Sequence, residues 1–451
     1  MKKLNSLLIV LVMAIGMLQA QEADQFSLSE AVTYAQTRSN SVRTAELDIA
    51  KSKAEVQEYT AIGIPKLNGG AEYNYFIHLP TQLIPNDAFA FEIPGIPLPK
   101  PEPGYTETKF GTRNQLTFSL NLSTLVFDGS YFVGLKASRG LLAMTKRQAD
   151  LTKYDIKHTV VKAYLQVLIA EENKGVLLRN IENLKKMKAE TQAFLDNGMV
   201  EQLDVDRLDL SLSNLQVELE ALARQTELAY NVLKFQMNYP LDKEIQLTNK
   251  LDDIMALPDA NDLEGEVAYD QRIETDILNQ TIHLNELNVK RYTMGYLPSL
   301  SAFASHQQVL QRDDLFDANS PGFFPTTLVG LKLDVPIFDG FDKAAKIKKS
   351  KIDVAKYKLQ LEDLKRSIKL QVVNSRAIYN NARERLENQD KNLALAEKIL
   401  NTTRIKYREG VGSSLEMSQA EQELYRTQAN RLNALYELVV AKADLDKALG
   451  K

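Results

Sequence analysis

Between Gln115 and Ser123 apolar and polar residues alternate without a break. Leu116, Phe118, Leu120 and Leu122 fall on one side of an extended chain, and Gln115, Thr117, Ser119, Asn121 and Ser123 on the other. The pattern predicts a strand with one apolar face. Its length matches the ~9–11 residues that carry a tilted strand across a bilayer. Leu67, Ala71, Tyr73 and Tyr75 alternate with Asn68, Glu72 and Asn74, and Leu331, Leu333 and Val335 with Lys332 and Asp334. A fourth strand, from Leu300 to Gln307, is less regular, because Leu300 and Phe303 fall on opposite faces. Tyr73, Tyr75, Phe76, Phe127 and Phe338 sit near strand ends, where a membrane barrel carries its aromatic girdle. A soluble sheet with one wet face gives the same alternation.

Elsewhere the period changes. Leu208, Leu212, Leu215, Leu219 and Leu222, and Val354, Tyr357, Leu361, Leu364, Ile368 and Val372, recur at three- and four-residue steps and predict helices. No proline occurs from Gly104 to Tyr239 or from Ile337 to Lys451, and neither proline nor glycine from Phe341 to Glu409. As one helix that last run is about 100 Å long, at ~1.5 Å per residue. Such a helix needs a coiled coil or a helical tube around it. Helical turns are predicted at Asn197-Gly198 and at Glu409-Gly410-Val411-Gly412, glycine fitting the left-handed position that ends a helix.

The chain is duplicated. Tyr59-Thr60 with Pro65-Lys66-Leu67 recurs as Tyr292-Thr293 with Pro298-Ser299-Leu300, at an offset of 233 residues. Phe127-Asp128-Gly129 recurs as Phe338-Asp339-Gly340 at 211, and Gly198 with Leu203 recurs as Gly410 with Leu415 at 212. Three matches in order make an internal repeat. Each half reads helix, hairpin, very long helix, turn, helix. The first repeat spans about 26–242, a polar linker about 243–262, and the second repeat about 263–451. The fall in offset places an insertion in the first half, between the Pro65-Lys66-Leu67 and Phe127-Asp128-Gly129 signatures; this segment holds the prolines from Pro80 to Pro103 and reads as a long extended loop rather than strand or helix.

Lys2 and Lys3, the apolar run Leu7–Leu18 and a small-residue site at Ala20 read as a signal peptide over residues 1–20. No further stretch reaches the ~20 apolar residues of a membrane helix. With the leader gone, two lysines leave a formal charge of −4, giving −6, which speaks against nucleic acid as a partner. The absence of cysteine excludes disulfides, thiolate metal sites and a lipid-bearing Cys. Four strands cannot close a barrel, and an open edge cannot face lipid. The barrel is therefore shared: two chains supply eight strands and three supply twelve, and closure alone does not choose.

No enzymatic chemistry is legible. His78, His158, His283 and His306 are scattered without zinc spacing. Gly410-Val411-Gly412 lacks the third glycine of a dinucleotide fingerprint, and no Walker sequence is present. Asp204-Val205-Asp206 has no supporting metal ligands nearby in sequence. Neither a metal nor a cofactor is expected, and the protein is not read as an enzyme.

From about Phe26 to its end the chain resembles the outer-membrane efflux protein family, the TolC-like ducts. The duplicated halves, the hairpin and Phe-Asp-Gly before a long helix, Tyr407-Arg408-Glu409-Gly410 before the final helix, and Leu432 through Ala448-Leu449-Gly450 carry the resemblance. It implies a mainly α protein with a membrane β-barrel. Four strands per chain complete a shared 12-stranded barrel, and long antiparallel helices form a periplasmic α-barrel. A homotrimer in outer-membrane lipid then serves as the passive exit duct of a tripartite efflux or type I secretion system. Its partners are a periplasmic adaptor (membrane fusion) protein and an inner-membrane RND or ABC transporter.

By the same resemblance Asp204 and Glu416 ring the closed periplasmic end of the tunnel. Gln419 stands at another acidic position of the family, Tyr407 matches a tyrosine that ties the closed tip, and Gly412 stands where an arginine partner can occur. Acids in a first helical turn also serve as plain caps. Gly198, Met199, Val200, Gly410, Val411, Gly412 and Ser413 form the two tips and are the expected docking surface for the adaptor. A periplasmic structural coiled coil with soluble β-hairpins is the alternative.

Overall fold

The computed structural model describes residues 24–86, 88, 103–251, 269, 272–317 and 321–450. The leader and most of the proline-rich stretch lie outside the described residues. The chain divides into two compact units: residues 1–51, 143–282 and 356–451 form one, and residues 52–142 and 283–355 the other.

In chain order the elements are β1 (Asp24–Phe26), α1 (Leu28–Arg38), α2 (Asn40–Ala61), β2 (Lys66–Tyr75), β3 (Thr81–Pro85), β4 (Tyr105–Lys109), β5 (Asn114–Phe127), α3 (Gly129–Asp196), α4 (Gln202–Met237), β6 (Ile245–Leu247), α5 (Ile273–Met294), β7 (Ser299–Arg312), β8 (Phe324–Asp334), α6 (Asp342–Arg408) and α7 (Ser414–Leu449). The repeat is visible in their lengths. Helices α2 and α5 have 22 residues each, α3 and α6 have 68 and 67, and α4 and α7 have 36 each. No helix among the described residues is long and apolar enough to cross a membrane.

In the second unit the four long strands pair antiparallel in the order β2-β5-β7-β8. Their lengths are 10, 14, 14 and 11 residues. Register puts the predicted apolar residues on one face: Leu67 pairs with Leu122, Tyr73 with Leu116, Leu122 with Ala304, and Ala302 with Leu331. That face is uncovered, with Leu67, Phe118, Leu120, Leu331 and Leu333 all exposed. The irregular strand is explained by its partner. Phe303 stands on the other face, opposite Gly330, and a Cβ on Gly330 would meet the phenyl ring at 2.6 Å. The missing side chain makes room for the aromatic ring.

One expectation needs correction. The insertion is not all loop: Thr81–Pro85 and Tyr105–Lys109 form an antiparallel two-stranded sheet, with Pro85 opposite Tyr105 at its end, where a missing N–H is tolerated. Thr81, Ile84, Tyr105, Thr106 and Thr108 supply the β-favouring side chains. The polar linker contributes one short strand. Ile245–Leu247 pairs in parallel with Asp24–Phe26, and Ile245 joins the core of the first unit.

That core explains the helical periodicity. Leu208, Leu215 and Leu222 are buried while Leu212 and Leu219 are half-buried, and Ile368 and Val372 are buried below half-buried Val354, Tyr357, Leu361 and Leu364. One cluster gathers Leu177, Leu184, Leu208, Leu222, Leu400 and Leu424 from α3, α4, α6 and α7. A second centres on Tyr164, Leu165, Leu233 and Leu438. The Tyr164 hydroxyl donates to the carbonyl of Phe26 at 2.9 Å, fixing the β1–β6 pair to α3.

Candidate functional site

The two helical turns are built alike. The Gly198 and Gly410 backbones have φ of 70° and 76°, the left-handed region where a Cβ is strained. In the first turn the Gly198 amide donates to Leu195 O and Met199 to Phe194 O; in the second, Gly410 donates to Tyr407 O and Val411 to Lys406 O. Both are the paired C-terminal bonds that satisfy the last free carbonyls of a helix. Gly412 is required for a different reason. A Cβ there would lie 3.0 Å from the Tyr407 backbone nitrogen, so a larger residue requires the turn to give by a few tenths of an ångström. Met199 and Val411 project into solvent, 72% and 79% exposed, Val200 is half-buried, and Ser413 is exposed.

Each following helix starts differently. Ser413 caps α7, its hydroxyl accepting from the Glu416 amide at 3.2 Å. At the start of α4 the side chain that reaches back is Asp204, whose Oδ2 accepts from the Glu201 amide at 3.3 Å. Its other oxygen accepts from the Ser414 hydroxyl. Arg207 Nη1 donates to the same hydroxyl at 3.2 Å and stands 4.0 Å from Asp204 Oδ1. Asp204, Arg207 and Ser414 thus tie the beginning of α4 to the beginning of α7.

Asp204 and Glu416, equivalent by repeat, are not equivalent in place. Asp204 is half-buried with both oxygens engaged, whereas Glu416 is exposed. Gln419, one turn further, is exposed on the side opposite the buried Met417, Ala420 and Leu424. The structure therefore brings Asp204 together with Ser414 and Arg207 and leaves Glu416 and Gln419 facing outward. Tyr407 is half-buried; its hydroxyl is shielded and has no hydrogen-bond partner.

Further pairs lace the same four helix ends. Lys188 of α3 bonds Asp209 of α4. Arg408 of α6 grips both oxygens of Glu190 on α3 at 2.9 Å. Such exposed pairs contribute roughly 0.2–1 kcal/mol each. Below the turns, Glu421 is almost fully buried, with Arg404 of α6 only 4.0 Å away. Burial pushes its carboxyl up to about 7, the Arg404 charge offsetting part of the rise. Tyr425 stands close enough to feel both charges; burial raises its pKa too, and its hydroxyl is without a partner. Sequence reasoning missed Arg207, Ser414, Arg404 and Glu421. The only signal was a charged residue at a helix-core step, Glu421 among Met417, Ala420 and Leu424.

Among the described residues no group of three or more His, Asp or Glu is placed to hold a metal. His158 instead contacts Asp444 at 2.8 Å, and burial lowers its pKa against the pull of that carboxylate.

Residues 288–451 match the family model described as outer membrane efflux protein. The chain is 20% identical over 339 residues to the outer membrane protein TolC of Vibrio cholerae, covering 74% of this chain and 76% of that one. Its fold is similar to the crystal structure of CusC, at a TM-score of 0.73 and 18% identity over 94% of this chain and 91% of the other. It is also similar to the open state of the MtrE outer membrane channel of Neisseria gonorrhoeae, at a TM-score of 0.70 and 18% identity over 94% and 88%.

Proposed function

We infer, from a chain whose residues 288–451 fall in the outer membrane efflux protein family and whose described fold is that of the TolC-like channels, that this protein is an outer-membrane efflux duct acting as a homotrimer. The observation that carries the reading is the β2-β5-β7-β8 sheet. It has strands of membrane length, one uncovered apolar face and two unpaired edges, β2 and β8. In lipid such edges must be paired. Copies joined β8 to β2 satisfy this, and three copies give the twelve strands of the family barrel.

The helices support more than one copy as well. Leu210, Val217 and Leu228 on α4, seven and eleven residues apart, are exposed, as are Leu359 and Leu370 on α6. Spacings of seven and eleven return to one helix face, so each helix offers an apolar row to a neighbour.

The paired turns serve as the periplasmic gate and docking end. In the closed state the Asp204–Ser414–Arg207 link holds α4 to α7, while the outward carboxylate of Glu416, repeated in each chain, favours cations at the constriction. Cargo passes without chemistry at the duct; energy comes from an inner-membrane transporter of the RND or ABC type, reached through a periplasmic adaptor seated on Met199, Val200, Val411 and Gly412.

The test is a photo-crosslinker on Val411→Cys in intact cells. The chain has no other thiol, and Val411 is 79% exposed, whereas the Ser413 hydroxyl is engaged in capping α7. Recovery of an adaptor with its transporter supports the reading; recovery of no envelope transport protein contradicts it.

A further inference from the structure

Within the second unit a guanidinium lacks a counter-ion. Arg291, on the last turn of α5, donates through Nη1 to the Tyr59 hydroxyl and through Nη2 to the Tyr292 hydroxyl, both at 3.2 Å. Its carbon lies 5.0 Å from the centre of the Tyr292 ring. No carboxylate among the described residues pairs with it. The charges around it are otherwise engaged: Lys343 pairs with Asp339 at 3.2 Å, Lys346 with Asp342 at 2.6 Å, and Asp128 accepts from the Ser130 and Tyr131 amides at 2.7 and 3.2 Å.

Arg291 faces two cavities. One of about 340 Å³ is bounded by Asp128, Asp342, Lys343 and Lys346 together with the three tyrosines Tyr59, Tyr131 and Tyr292. The other, about 730 Å³, has Leu141, Leu284 and Ala137 along its wall and Glu55, Glu58 and Lys66 at its rim. Glu55 and Glu58 form no ion pair with any described residue; Glu58 is exposed and Glu55 half-buried. A half-buried cation with unused forked donors fits an oxyanion bidentately. Carboxylates nearby fit an ammonium, and the apolar wall fits a hydrocarbon chain.

Placement narrows the ligand. Tyr59 precedes the β2 strand by seven residues and Arg291 precedes β7 by eight. Within about two helical turns of a membrane strand a side chain lies at headgroup level, where aromatic and basic residues gather. We propose that Arg291, held by Tyr59 and Tyr292, binds the phosphodiester of a phospholipid whose headgroup also carries an amine, with Glu55 and Glu58 receiving the amine and the Leu141–Leu284 wall receiving an acyl chain. This rests on the outer-membrane reading of the sheet for its location. Phosphate is the shared chemistry of a lipid headgroup and of soluble phosphate esters, and the amphipathic pair of cavities favours the lipid.

Native mass spectrometry of the detergent-solubilised protein with dihexanoylphosphatidylethanolamine tests the site. The wild type retains the lipid; Arg291→Gln loses about tenfold in affinity, the weight of a charge-assisted hydrogen-bonded contact. Tyr292→Phe, which keeps the charge and the ring, falls between them and guards against misfolding of the first variant. Displacement by equimolar phosphoethanolamine or inorganic phosphate, equal retention of dihexanoylphosphatidylglycerol, or equal retention by wild type and Arg291→Gln overturns the proposal. The same spectrum reads the oligomer, so a trimer that fails to select the lipid removes this site alone, and a chain that is not trimeric removes the duct reading.

Discussion

The Ser414 hydroxyl donates to Asp204 across 210 residues of sequence, joining the first turns of two helices that occupy the same place in the two repeats. The bond is asymmetric, because the repeat mate of Asp204 is Glu416, which faces solvent. One acid is therefore bonded between the helices and the other is exposed. Ser414→Ala removes the link while keeping the helix start, since the cap belongs to Ser413. A hydrogen bond to a charged group contributes about 1.5–3 kcal/mol. Planar-bilayer recordings are expected to show at least a tenfold rise in open probability for Ser414→Ala, and an unchanged closed state would separate this bond from gating.

The outward acid makes a separate prediction. Glu416→Ala lowers the cation preference in reversal-potential measurements, and Asp204→Ala, with its carboxylate already bonded, acts mainly on opening. Equal loss of selectivity from the two substitutions would place both carboxylates in the ion path.

Glu421 gives a pH dependence with a definite sign. Its carboxyl titrates near 7 in the folded chain against the ordinary value of 4.5. The folded state therefore holds a proton that the unfolded chain has lost between those values. This contribution to stability is complete below about 4.5 and disappears as pH rises through about 7. Thermal unfolding between pH 5 and pH 8 is expected to show the wild type losing stability as pH rises (about 5 to about 8 bracketing the titration). Glu421→Gln flattens that dependence and raises the midpoint by a few degrees at the alkaline end. A slope that persists in Glu421→Gln would assign the titration elsewhere.

At the turns, Gly198→Ala and Gly410→Ala each meet open space but place a Cβ on a left-handed backbone. Each costs about 1 kcal/mol. The tips carry no buried core, so hydrogen exchange is expected to rise locally at residues 194–199 and 405–411, the two turns whose bonds are given above, with the global midpoint little moved.

Much of this fold was legible because its signals are local. Period-two alternation located β5 and β8, and the absence of proline and glycine from Phe341 to Glu409 delimited α6 to within a residue or so at each end. Gly198 and Gly410 marked both turns. What escaped depends on distant partners or on lengths too short for a period. Phe303 looked misplaced until Gly330 appeared opposite it, and the three-residue strands β1 and β6 carry no pattern of their own. The density of prolines hid the Thr81–Pro85 hairpin strand. In the site, the resemblance singled out Asp204 but not its partners. Ser414 and Arg207 meet it only through tertiary packing, and the burial of Glu421 is fixed by α6 as much as by α7.

In the proposed duct, separate copies close the sheet by joining β8 to β2. Asn68 and Lys332 lie on the same face, each near the helix-side end of its edge strand. Converting both to cysteine in this thiol-free chain and treating the outer membrane with a short bismaleimide gives the most direct measurement. Linked dimers and trimers are expected on a denaturing gel, with the trimer as the largest species and neither single-cysteine variant forming it. A chain that remains monomeric, or a ladder extending past three, would contradict this closure.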